Sequence, residues 1–200
     1  MFSVGIILFD DFEELDAIGP WEVFRAAEDM SAERSDGRLT CEMVSLSGEK
    51  VTAKKGLQLH VPGRLTKDSH YDLILLPGGE GTRTLMADEG LLEMLTQVAG
   101  RATWVTSVCS GSLVYAAVGL LQGKQCTSHH SCLDLLAKIS PTSEVVRNSR
   151  YIQDGNIVTS AGVSAGIDMA LWLVGQIFSP DFARDIQHYI EYYPDPPYGA

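Results

Sequence analysis

The chain has 200 residues, 45% hydrophobic and 20% charged, the balance of an ordinary soluble globular protein able to bury a real core. Its net charge of −11 comes from 15 basic and 26 acidic side chains, and the basic ones are scattered, which argues against a nucleic-acid partner. No apolar run approaches the roughly 20 residues of a membrane-spanning helix, so no membrane role is expected.

The opening segment Phe2–Phe9 is apolar but short, with no basic leader or small-residue cleavage site, and reads as a buried strand rather than a signal peptide. Cys41, Cys109, Cys126 and Cys132 form no CxxC pair and no zinc-ligand spacing. Reduced thiols in a cytoplasmic setting, without disulfides or a metal, are the expectation.

In chain order, Val4–Phe9 is a continuous apolar run, the mark of a strand covered on both faces. Trp21–Met30 has helical spacing, and the polar stretch Ser31–Arg38 reads as a surface loop after it. Cys41–Leu46, Leu57–Val61 and Asp72–Leu76 read as strands, the last ended by Pro77-Gly78-Gly79. Gly90–Val98 is an amphipathic helix, Thr103–Val108 a strand ending at Cys109, and Ser112–Val118 and Leu133–Ile139 are short helices. Tyr151–Gln153 and Ile157–Ser160 flank Asp154-Gly155, a hairpin signal. Ile167–Phe178 and Pro180–Ile190 are closing helices, followed by the Pro-rich tail Pro194–Pro197. No internal repeat or linker divides the chain, so one domain over 1–200 is expected. Strands alternating with helices predict an α/β fold with a mostly parallel sheet, and ligands in such sheets sit beyond the strands' carboxyl ends.

Three segments after strands could make a site. Ser107-Val108-Cys109-Ser110-Gly111 has the spacing of a nucleophile elbow, and a thiol at a helix N-terminus is expected to have a lowered pKa. An inert, buried cysteine is the plainer alternative. Glu13-Glu14-Leu15-Asp16-Ala17 follows the first strand; Asp16, between apolar neighbours, is the inward-facing candidate for moving a proton to or from a thiol. Its equal alternative is capping a helix that starts near Pro20, whereas Glu13 and Glu14 read as solvated loop charges. Pro77-Gly78-Gly79-Glu80-Gly81 allows main-chain N–H groups to approach a ligand, as in an oxyanion hole, and is not a phosphate loop. His129 could face Cys109 as in many thiol enzymes, and Asp168 reads as a first-turn carboxylate.

These stretches, with Leu15 to Pro20, Val105 to Leu113, Gly119-Leu120-Leu121-Gln122-Gly123-Lys124, Ala165-Gly166-Ile167-Asp168 and the tail from Glu191-Tyr192 to Pro196-Pro197, resemble the ThiJ/PfpI superfamily in the same order. The resemblance spans nearly the whole chain and leans toward the isonitrile hydratase branch. It implies a class I glutamine amidotransferase-like, flavodoxin-like three-layer sandwich with helices on both faces of the sheet, and a homodimer. By position it implies Cys109 as nucleophile and Asp16 as its acidic partner, with the Ser110 hydroxyl near the reacting group. Gly78, Gly79, Ser110 and His129 fall among substrate- and oxyanion-binding positions, with the Gly79 and Ser110 N–H groups facing developing negative charge. The implied reaction is hydration of a small isonitrile to an N-substituted formamide, without cofactor, between apolar walls that exclude water.

Two features depart from the pattern. Ser110 stands where PfpI-type peptidases have histidine, which argues against that activity. His130 stands where the hydratase branch usually has tryptophan, which leaves the substrate open. A glyoxalase- or deglycase-like activity on 2-oxoaldehydes, with His129 carrying the proton, is one alternative. A ligand-sensing domain like the N-terminal half of AraC-type regulators is another, and would require a basic helix-turn-helix after Pro197. A low-pKa thiol at Cys109 would also suit a redox sensor.

Overall fold

The structure, a computed structural model, describes residues 1–32, 37–46 and 48–198. Its strands are β1 (Phe2–Leu8), β2 (Leu39–Ser45), β3 (Lys50–Thr52), β4 (Gln58–His60), β5 (Gly63–Arg64), β6 (Leu73–Leu76), β7 (Trp104–Val108), β8 (Gln125–Cys126), β9 (Glu144–Val145), β10 (Tyr151–Asp154) and β11 (Ile157–Ser160). Its helices are α1 (Glu14–Ser31), α2 (Thr82–Met86), α3 (Glu89–Ala99), α4 (Gly111–Ala117), α5 (Leu133–Ile139), α6 (Ala165–Ile177) and α7 (Pro180–Tyr189).

The apolar runs go where their continuity requires. All four side chains of β6 and all four of β11 are buried, as in a sheet covered on both faces. Seven strands form the central sheet in the order β10-β11-β7-β6-β1-β2-β5. Every pair is parallel except β10 with β11, the hairpin marked by Asp154-Gly155. Helices flank the sheet as the sandwich reading expected: α1, α6 and α7 pack as one group, and in a second group α2 meets α3 and α4, and α4 meets α5.

The strand expected at Leu57–Val61 is present as β4 but lies outside the central sheet, paired antiparallel with β3 in a separate ribbon. Burial explains it, since β4 exposes Gln58 and His60 and a strand inside the main sheet would cover them. Of the loop expected over Ser31–Arg38, residues 33–36 lie outside the described residues, and Ser31 closes α1. The tail packs against its own chain, with Tyr192, Pro194 and Pro196 lining a hollow beside Arg150 and Asp168.

Strand order reverses between β1 and β6: the chain steps from β1 to β2 on one side, and from β6 to β7 on the other. A crevice therefore opens beyond the carboxyl ends of these strands, where the intervening helices diverge. Asp16, Gly78, Gly79 and Cys109 all lie on segments leaving those ends.

Candidate active site

Beyond Val108, strand pairing continues for one residue: the Cys109 N–H lies 3.1 Å from Ser160 O and 3.2 Å from Ala161 O. The chain then bends into α4, which leaves Cys109 in the left-handed region at φ 57°. That conformation costs a non-glycine residue roughly 1–2 kcal/mol. The turn holds because the Cys109 carbonyl accepts hydrogen bonds from Ser112 Oγ at 3.1 Å and Ser128 Oγ at 2.9 Å. The small residue required two positions on is Gly111, where a Cβ would fall 2.3 Å from Leu76 O. The elbow spacing thus corresponds to a strained turn.

Asp16 is not the cap of a helix starting near Pro20. Helix α1 begins at Glu14, so Asp16 falls in its first turn on the inward face, with no exposed surface. Its Oδ2 accepts the Gly78 N–H at 2.9 Å, whereas Oδ1 is buried without a full hydrogen bond among the described residues. Burial raises the Asp16 pKa to about 7; the negative charge of Glu13 adds to this, while the Gly78 N–H, the Cys109 thiol and the Val163 N–H pull the other way.

Burial likewise pushes the Cys109 thiol up to about 12, helped by the facing Asp16 charge and opposed by the Ser110 N–H. The lowered thiol pKa expected from the helix N-terminus is therefore corrected. Helix α4 has only seven residues, and its pull is smaller than the cost of a sulfur anion in a dry place beside a carboxylate. Thiol and carboxyl titrate as a unit, giving up one proton near neutrality and the second far above it.

The glycine turn organises this pair. A Cβ on Gly78 would lie 2.6 Å from Ser110 N and 2.8 Å from Asp16 Oδ2, so only glycine lets the three segments meet. The Gly78 N–H is committed to Asp16, and the Gly79 N–H donates to Ser110 Oγ at 3.0 Å. Ser110 Oγ in turn donates to Gly79 O at 3.2 Å, bracing the turn. Neither glycine N–H points free into the crevice, while the Ser110 N–H is directed at the Cys109 sulfur.

Above the sulfur is a cavity of about 290 Å³ lined by Glu13, Lys54, Gly79, Glu80, Arg83, Cys109, Ser110, His129, Ser131, Cys132 and Val163. Its walls are largely polar, which corrects the expectation of an apolar enclosure; the dry part is the floor around Asp16. His129 enters as expected. Its Nδ1 accepts from the Ser131 N–H at 3.2 Å and lies 2.7 Å from Ser131 Oγ, which leaves the ring proton on Nε2. Burial lowers its pKa, with neighbouring His130 adding to the shift, so the ring is neutral at neutral pH.

Sequence reasoning missed Glu13, Arg83 and Cys132. Glu13 is no solvated loop charge: its N–H bonds Gly78 O at 2.9 Å, and its carboxylate meets Lys55. A pattern could have found Arg83, which stands one helical turn after Gly79 and reaches back to its carbonyl at 3.1 Å. Asp168 lies away from this cavity, bound to Arg150 at 2.5 Å in the first turn of α6. Among the described residues, no three His, Cys, Asp or Glu side chains group as metal ligands, and no helix is long and apolar enough to cross a membrane.

A model of the DJ-1/PfpI family matches residues 2–176. The chain belongs to that family. It is 36% identical to the isonitrile hydratase of Pseudomonas putida over 99% of this chain and 82% of that protein. It is 29% identical to the HTH-type transcriptional regulator GbdR of Pseudomonas aeruginosa over 87% of its own length, but spans only 46% of the regulator. The crystal structure of a ThiJ/PfpI family protein from Pseudomonas syringae superposes with a TM-score of 0.87 at 31% identity, covering 100% of this chain and 78% of that one. As a family member, the chain shares a fold that carries both enzymes and regulators.

Proposed function

We propose that this DJ-1/PfpI chain is a cysteine-dependent isonitrile hydratase, a lyase acting on a small molecule. The observation that carries the reading is the dry pair at the foot of the cavity: a thiol on a strained turn and a carboxyl that exchanges its proton near pH 7. The likeness to the Pseudomonas putida hydratase along nearly the whole chain supports the same chemistry.

The cycle follows from the proton inventory. Asp16 carboxylate takes the Cys109 proton as the sulfur bonds to the terminal isonitrile carbon. The proton is delivered to that carbon, giving a thioimidate, S–CH=N–R. Asp16 then removes a proton from water as its oxygen adds to the carbon, and passes that proton to nitrogen. The C–S bond breaks, the hydroxyl proton returns through Asp16 to sulfur, and the N-substituted formamide leaves. The sequence is redox-neutral and consumes one water. The Ser110 N–H supports the sulfur as it gains charge, and the Ser110 hydroxyl braces the glycine turn. The reading includes one domain over 1–200 and a homodimer in the cytoplasm.

A panel of isonitriles assayed with wild-type and Cys109→Ala protein tests it. Formamide should form only with the thiol present, and rapid quenching should trap Cys109 heavier by one isonitrile. Formamide production by Cys109→Ala at a rate near wild type would reject the covalent route. His129 in the same cavity supports a second reading, turnover of a 2-oxoaldehyde; methylglyoxal consumption exceeding that of every isonitrile would decide for it. A regulator's sensing domain would bind these compounds without turning them over.

A further inference from the structure

Two cations and two carboxylates line the cavity, and they are unequally paired. Glu80 is held by Lys54 at 2.8 Å, and Glu13 by Lys55, which approaches from outside the lining. Arg83 forms no ion pair among the described residues and acts on Glu80 only at longer range. Its Nη1 donates to Gly79 O at 3.1 Å and Thr82 Oγ1 at 2.9 Å, which fixes the guanidinium beside the turn that holds Asp16 and Ser110. Its Nη2 has a sulfur neighbour, Cys132 Sγ at 3.8 Å, a poor acceptor for a charged donor. The result is a positioned, unneutralised guanidinium on the wall of the cavity that exposes the Cys109 sulfur. A planar fork of this kind suits a carboxylate, and a cavity of about 290 Å³ is at the small end for ligand sites.

We infer that Arg83 is an anion-binding residue and that the substrate is a small isonitrile carrying a carboxylate. The carboxylate takes the guanidinium N–H groups in place of the Cys132 sulfur, and the isonitrile carbon is turned toward Cys109. This identification of substrate rests on the hydratase reading; the anion site does not.

Two experiments separate these claims. Iodoacetate and iodoacetamide are matched in size and differ in charge, and both alkylate Cys109 by displacement of iodide. Peptide mass spectrometry gives the ratio of their rates at Cys109 in wild-type, Arg83→Gln and Arg83→Lys proteins. The iodoacetate-to-iodoacetamide ratio should fall about tenfold in Arg83→Gln and be largely kept in Arg83→Lys, the scale of one partly exposed charge-assisted hydrogen bond. An unchanged ratio in Arg83→Gln overturns the anion site. The second experiment compares kcat/KM for isocyanoacetate and its methyl ester, with the acid expected to be favoured about tenfold or more in wild type and the preference to vanish in Arg83→Gln. Equal efficiency for acid and ester overturns the substrate assignment. No hydration of either compound overturns the substrate assignment; if the whole isonitrile panel also goes unhydrated while the alkylation ratio falls, the hydratase reading is rejected and the anion site upheld.

Discussion

Burying a carboxyl next to the nucleophile has a thermodynamic signature that does not depend on knowing the substrate. In the unfolded chain Asp16 ionises near 3.8, and in the folded protein near 7. Below the lower value both states are protonated and no penalty exists. Between the two values the unfolded chain ionises and the folded one does not, so stability falls as pH rises; above about 7 the loss is complete. A shift of about 3 units corresponds to about 4 kcal/mol at 1.36 kcal/mol per unit. The Asp16→Asn variant keeps the shape and removes the titration, although its amide meets no ready acceptor at the unpaired Oδ1 position. Its absolute stability is therefore less informative than its pH dependence. Denaturant unfolding of both proteins at about pH 5.5 and about pH 8.5 spans half of the window, and the stability of Asp16→Asn relative to wild type should rise by about 2 kcal/mol between them. A gap that stays constant, or moves in the opposite direction, would refute the buried, proton-holding Asp16.

Other consequences can be checked separately. The rate of Cys109 modification, and kcat/KM for hydration, should rise with pH through a single ionisation near 7 and then level, because the carboxylate form of Asp16 accepts the thiol proton; Asp16→Asn should flatten that rise. Because Cys109 sits at φ 57°, Cys109→Gly should be more stable than Cys109→Ala by up to about 1 kcal/mol, read by denaturant unfolding; a more stable alanine variant would mean the turn carries no strain. Gly162→Ala should expel the His129 ring, since the new Cβ would fall 2.1 Å from its Cδ2. The His129 pKa, followed by NMR titration, should then rise toward its ordinary value, and an unmoved titration would show that the ring had kept its place.

Much of the architecture was legible because burial leaves a periodic trace. The uninterrupted apolar runs at β1 and β6 announced a sheet covered on both faces, and Asp154-Gly155 announced the hairpin. The elbow around Cys109 was legible because its small-residue spacing is contiguous in the chain, although what requires glycine at Gly111 is the backbone of the neighbouring strand, Leu76 O. The short strands β5, β8 and β9 left no such trace, since two residues carry no period.

What the chain alone determined is therefore the order of the longer strands and helices and the place of the thiol at the elbow, properties set by each segment's own spacing and turn chemistry. Only the tertiary structure decided the sign of the Cys109 shift, the polar walls of the cavity and the place of Glu13 within it. Those depend on solvent exclusion and on charges brought together from distant segments, which short-range sequence patterns do not encode.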